Sequence, residues 1–355
     1  MSDTISTAMA DLLPLRPERN RSRPVIACLD GSGYAESVLD HAARLSRMTG
    51  APLELLRVLD APGSWNPPDP LDHALRRREA LEDLRRRTGR ARDSRELRHA
   101  DVYVAEGCPA ERIFDEATRR DAAILVLGRQ GESAADGVSP PGLGATARAV
   151  IERARVPVFL VTESDVPPRA ADGDPRAGYR RILVPLDGSP WAETALPAAE
   201  QLARRFDAEL VLVQIVTPPQ FTGHEPLDEA TIRLRDEINE RNRRVAQTYL
   251  EGRRAHLAQH GLAVRARVEL DQDARDALTE IARAEEADLV VLAARGSGSR
   301  HLPGPALGSV ASYLGRHSPA PLLMVPAHER ARRRTRPFER RIPQRQDRPE
   351  IASPA

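Results

Sequence analysis

Apolar positions along this chain gather into short unbroken runs of strand length, separated by longer stretches with helical spacing. Runs at 24–33, 52–60, 122–131 and 156–161 are apolar at successive positions, not at alternating ones. That pattern marks strands buried on both faces of a parallel sheet. Between the first two, Ala35, Val38, Leu39, Ala42 and Leu45 recur at helical spacing over 34–47, and Gly50 supplies a stop signal. Strand–helix–strand alternation of this kind predicts a doubly wound α/β domain of about five strands with flanking helices. Right-handed crossovers then bring the strand carboxyl ends to one edge, where ligands bind.

The same pattern occurs twice. Asp30 in 24–33 matches Asp187 in 181–190, 157 residues later, and Val58 matches Ile215 at the same offset. The run 122–131 matches 287–296 at an offset of 165, and 156–161 matches 320–325 at 164. The additional eight residues of the second copy fall in a long helical stretch, 228–259. Four matches in order identify a duplication. The expected architecture is two tandem doubly wound (Rossmann-like) domains, 23–163 and 179–327. Residues 1–22 read as a flexible N-terminus, 164–178 as a linker rich in Pro, Gly and charge, and 328–355 as an Arg-rich disordered tail.

Composition narrows the function. With 53 basic and 52 acidic residues among 355, the formal net charge is +1, which gives no overall pull toward nucleic acid or anionic lipid. Aromatic residues make up 3%, too few for base-stacking platforms. No apolar run approaches the length of a membrane span. Every basic residue is Arg, so chemistry that requires a lysine, including a Walker-type loop or a Schiff base, is excluded. Two cysteines, Cys28 and Cys108, suit a reduced cytoplasm, and 1–20 lacks the features of a signal peptide.

Three features of each copy meet at the carboxyl edge. The first strand ends in Asp-Gly-Ser, at Asp30 and at Asp187. A glycine-containing loop follows the fourth strand, with Gly128 and Gly131 in copy one and Gly296 in copy two. A helix then starts at glycine, Gly144 or Gly308–Ser309. Backbone N–H groups at such a helix start, beside glycines that permit close approach, make an anion site suited to phosphate. The aspartate across the cleft can face ribose, a base amine or a cation.

These residues resemble the universal stress protein family: DGS after the first strand, the glycine loop after the fourth, and the Gly-Ser helix start thirteen residues before a Pro. The second copy, with ILVPLDGS and ALGSVASYLGRHSPAPLLMVP, is the closer match. The resemblance implies a cytoplasmic stress-response or signalling protein that binds adenine nucleotide, ATP with magnesium as counter-ion, in a G-x2-G-x9-G-[S/T] loop. In copy two the implied contacts are Pro185, Asp187, Ile215, Gly296, Gly308 and Ser309. In copy one they are Asp30, Val58, Gly128, Gly131 and Gly144. Each copy departs from the pattern. Copy one has Cys28 at the proline position, Ala145 at the hydroxyl position and twelve residues before Gly144; copy two has Ala293 at the first glycine and an eleven-residue spacer containing Pro303 and Pro305. Ser309 makes copy two the favoured site. The resemblance also implies that the last strands, 156–161 and 320–325, are apolar sheet edges that pair across a pseudo-twofold as an internal pseudo-dimer; a homodimer remains open. Family strand order separates Cys28 from Cys108, against a disulfide.

Other candidates carry blander readings. His256 and His260 have metal-ligand spacing but sit near a helix end marked by Gly261. Ser32 and Ser189 read as turn or N-cap residues, Trp65 as a loop residue and Trp191 as a packing residue at a helix start. Two alternatives stand beside nucleotide binding: a ligand-free interaction scaffold, and a slow ATP hydrolase. Because 328–355 carries nine Arg against four acidic residues and no periodic apolar face, truncation after Ala327 is expected to leave the thermal midpoint nearly unchanged. A scanning-calorimetry drop of more than a few degrees would show that the tail docks.

Overall fold

The computed structural model describes residues 23–60, 70–90, 94–131, 142–161, 178–219, 228–299 and 307–326. The N-terminus 1–22, the body of the linker, Trp65, Pro303, Pro305 and the tail lie outside the described residues. The first half contains β1 (Val25–Leu29), β2 (Leu53–Leu59), β3 (Asp101–Glu106), β4 (Ile124–Gly128) and β5 (Val158–Val161). Its helices are α1 (Ala35–Thr49), α2 (Pro70–Arg90), α3 (Arg95–Arg98), α4 (Pro109–Arg119) and α5 (Ala145–Arg153). The second half contains β6 (Arg181–Pro185), β7 (Glu209–Val216), β8 (Val264–Leu270), β9 (Leu289–Ala293) and β10 (Leu322–Val325). Its helices are α6 (Leu196–Phe206), α7 (Glu229–Gln259), α8 (Ala274–Ala284) and α9 (Ser309–His317).

All ten strands form one sheet in the order β3-β2-β1-β4-β5-β10-β9-β6-β7-β8. Within each half the pairs are parallel; at the seam β5 and β10 pair antiparallel, with Leu160 opposite Leu322 and Phe159 opposite Leu323. The expected joint between the last strands is therefore present, and the strand order reads the same outward from it in both directions. Each face of the sheet carries one apolar layer that continues through both halves. Helices α1, α2, α6 and α7 cover one layer, and α4, α5, α8 and α9 the other.

Local geometry repeats the duplication. Gly50 ends α1 with φ +70°, and Asp207, at the same place after α6, takes φ +55°. Asp121 and Glu286, which precede β4 and β9, have φ +48° and +49°. Helix α7 is 31 residues long against 21 for its counterpart α2, in the region that holds the additional residues of copy two. The outermost strand β8 departs from the sequence expectation of continuous apolar runs, with Arg265, Arg267 and Glu269 at alternating positions. Among the described residues β3 and β8 each have one unpaired edge; in β8 Arg265 is exposed and pairs with Glu209 and Glu285, at 2.7 and 2.8 Å. Charge at an edge strand discourages pairing with another chain.

Side chains lock the seam on both faces. On one face Phe159 of β5 packs against His41 of α1 (5.4 Å between ring centroids), and Tyr179 meets Phe206 edge-on at 4.9 Å. His41 Nδ1 and Tyr179 Oη, both fully buried, lie at hydrogen-bond distance, 2.6 Å, across the two halves. On the other face Arg129, in the loop after β4, donates from Nη1 to the carbonyl of Ser318 at 3.1 Å, just past the end of α9. A cation at a helix carboxyl terminus also complements the helix dipole. Phe159→Ala should remove a ring from this fully buried cluster and lower unfolding stability by about 3–5 kcal/mol. Urea denaturation checks this; a change below about 1 kcal/mol would show that the seam does not depend on the ring.

Candidate functional site

Each half has a cleft at the carboxyl edge, between its first and fourth strands, where the direction of strand winding reverses. The cleft in the first half has a volume of about 640 Å³ and that in the second about 310 Å³. Both lie in the range typical of small-molecule sites. The structure brings Pro185, Asp187, Ile215, Gly296, Gly308 and Ser309 together around the second cleft. Asp30, Val58, Gly128, Gly131 and Gly144 line the first.

The helix starts are built alike. Gly144 and Gly308 are N-caps with nearly the same backbone angles, φ −61°, ψ 153° and φ −65°, ψ 157°. Each glycine N–H is tied back to the loop after the fourth strand, to Arg129 O and Ala294 O respectively, both at 2.9 Å. Neither helix has a side-chain cap. First-turn N–H groups in this arrangement are suited to an anion. Ser309, the first residue of α9, is exposed and adds a hydroxyl at that point.

The aspartates hold the opposite wall. Asp187 accepts from Ser189 N at 2.9 Å through Oδ1 and from Ser297 N at 2.6 Å through Oδ2, so it clamps the Asp-Gly-Ser turn to the glycine loop. A Cβ on Gly296 would lie 2.6 Å from Asp187 Oδ2, so no larger residue fits there without movement. A carboxylate has about four lone-pair positions, and the remaining ones can still accept from a ligand. Asp30 accepts from the backbone N–H and the hydroxyl of Ser32. Gly131 approaches it as Gly296 approaches Asp187, with a Cβ there 2.9 Å from Asp30 Oδ2.

Ala293 in place of the first glycine does not strain the second cleft. Its counterpart Gly128 lacks a positive φ; a Cβ there would meet Gln130 O at 2.9 Å and Tyr34 Cβ at 3.2 Å. The requirement is space beside the Gln130 carbonyl and Tyr34 in the first half. Ala293 is itself buried in strand β9.

Several lining residues give no signal by sequence motif. Arg295 lines the second cleft and has no ion-pair partner among the described residues. Its counterpart in the first cleft is Gln130, whose Oε1 accepts from the Tyr34 hydroxyl at 2.8 Å. Asp60 lines the first cleft where Thr217 lines the second. Column-by-column comparison of the two copies is the signal that exposes these differences.

The remaining candidates resolve simply. Cys28 and Cys108 are both free; burial pushes the Cys28 thiol up to about 12, which leaves it an unreactive wall of the first cleft. Ser32 and Ser189 serve the turns: Ser189 Oγ accepts from Ala192 N at 3.2 Å, and Ser32 Oγ binds Asp30. Trp191 opens a short 3-10 turn, Ala192–Ala195. His256 is exposed, and His260 caps α7 beside Glu200 at 3.3 Å. Among the described residues there is no cluster of three or more His, Cys, Asp or Glu able to hold a metal, and no helix long and apolar enough to cross a membrane.

Comparison with known proteins agrees with this fold. A protein of Staphylococcus saprophyticus carrying the universal stress protein name is 27% identical over 152 residues, 42% of this chain and 86% of the relative. The crystal structure of a universal stress protein from Archaeoglobus fulgidus covers 87% of this chain and is itself covered completely, with a TM-score of 0.58 at 18% identity. A functionally unknown protein from Pseudomonas aeruginosa covers 92% of this chain and is matched over 97% of its own length, with a TM-score of 0.56 at 14% identity. These two structures share the fold. The universal stress protein family matches twice, over residues 21–162 and 178–326, and the chain belongs to that family as a tandem member.

Proposed function

We propose that this chain is a stress-response protein that binds adenine nucleotide as a ligand and not as a substrate, with ATP held in the second cleft. One observation carries the reading: Pro185, Asp187, Ile215, Gly296, Gly308 and Ser309 converge on a single cleft that also contains Arg295. The donor set fits a phosphate chain, with N–H groups at the start of α9, the Ser309 hydroxyl and a guanidinium. Adenosine would lie between Asp187 and the Ile215 backbone. Magnesium would find few protein oxygens, chiefly the Asp187 carboxylate and Ser309 Oγ, which suits an ion held mainly by phosphate and water. Two free cysteines support a reducing, cytoplasmic setting.

A ligand-free scaffold is the second reading. It is favoured by the engagement of both Asp187 oxygens with backbone N–H groups of the protein itself.

Calorimetric titration of ATP separates the two. Ser309→Asp would place a carboxylate against phosphate, and Asp187→Asn would remove a charge from the sugar and cation side. Each is expected to weaken ATP binding by about ten-fold or more. Asp30→Ala should leave ATP affinity unchanged. Absence of heat with wild-type protein well above micromolar concentration would establish the scaffold reading. Equal losses from Asp30→Ala and Asp187→Asn would move the ATP site away from the second cleft alone.

A further inference from the structure

The two clefts share their frame but not their charge. Three positions occupy the same place in both and differ in one chemical direction. Asp60 stands where the second cleft has Thr217, Gln130 where it has Arg295, and Ala145 where it has Ser309. The first two exchanges each make the first cleft more negative by one unit charge, and the third removes a hydroxyl donor from the helix start. The first cleft does contain a cation, Arg129, but that side chain is buried and reaches the Ser318 carbonyl of the other half. A cleft of this volume spans about one Debye length, ~10 Å at 0.1 M salt, so Asp30 and Asp60 act on any charge bound within it. The space itself is sufficient, at about 640 Å³, with apolar walls that include Leu56, Ile113 and Leu127.

We infer that the first cleft is a separate site for an uncharged nucleoside, and that Asp60 and Gln130 are the residues that exclude polyphosphate from it. This rests on the nucleotide-binding reading of the fold. Asp30 and Asp60 accept from ribose hydroxyls or a base amine, which a nucleoside offers and a phosphate chain does not. The neutral Tyr34–Gln130 pair supplies a polar wall without attracting an anion. One chain thus reads two forms of related ligands, phosphorylated in the second cleft and unphosphorylated in the first.

Hydrogen exchange with mass spectrometry on the full wild-type chain tests this with adenosine and ATP as probes. Adenosine is expected to slow exchange in 128–131 and 144–147, and ATP to slow it in 293–298 and 308–311. The double variant D60T/Q130R should extend ATP protection to the first cleft, with a gain in ATP affinity there of about ten-fold or more. Equal protection of both clefts of the wild type by ATP at one concentration would overturn the selectivity, as would absence of adenosine protection in the first cleft while ATP protects the second. If neither probe protects either cleft, the nucleotide-binding reading itself fails. D60T alone, which changes an exposed side chain, repeats the test with little risk to folding and should give a smaller gain of the same sign.

Discussion

The antiparallel pairing of β5 with β10 is the constraint on which the molecule depends. Each is a four-residue strand with no polar side chain, buried on both faces. Left as an edge, either would present unpaired backbone groups flanked by apolar surface, a combination that folded proteins avoid. Joining them converts two five-stranded sheets into one sheet of ten and lets each apolar layer run through both halves. The joint also lies one strand away from each cleft, since β5 adjoins β4 and β10 adjoins β9. The loops after β4 and β9 sit next to the joined strands, as do the helices α5 and α9 that those loops start. On the face of α5 and α9, packing at the seam is therefore shared with a ligand loop, as Arg129 shows by reaching from the loop after β4 to the end of α9.

Much of this was legible in the sequence because central parallel strands bury both faces. Four apolar runs per copy stand out, and their common offsets reveal the duplication; the seam followed from the resemblance, which places the last strand of each copy at a sheet edge. The outer strands did not stand out. Among the described residues β3 and β8 have one free edge each; β8 alternates Arg265, Arg267 and Glu269 with apolar residues, and β3 offers only the short run 102–105 between Asp101 and Glu106. Site residues on strand ends and helix starts were also legible, since Asp187, Gly308 and their counterparts follow directly from element boundaries. Arg295, Gln130, Asp60 and Arg129 were not. Their meaning arises where loops from different strands meet, and Arg129 reaches a carbonyl 189 residues away in sequence. No local pattern encodes that destination.

The seam is also where the two halves stop being equivalent. Arg129 grips the end of α9, but its counterpart is Ala294, so no reciprocal grip on α5 exists. Leu143 of the first half lies over Gly315 of α9, where a Cβ would come within 3.5 Å of it; the position that corresponds to Gly315 in α5 is the buried Ile151. In a dimer of identical chains every substitution appears twice, once on each side of the axis. An arginine introduced on one side must then be accommodated on the other, and a glycine that admits a neighbour must be matched by a second glycine. Covalent fusion removes that restriction. The duplicated chain can place a long side chain on one side and a vacancy to suit it on the other. Its halves have become complementary to one another and are no longer copies that could exchange places.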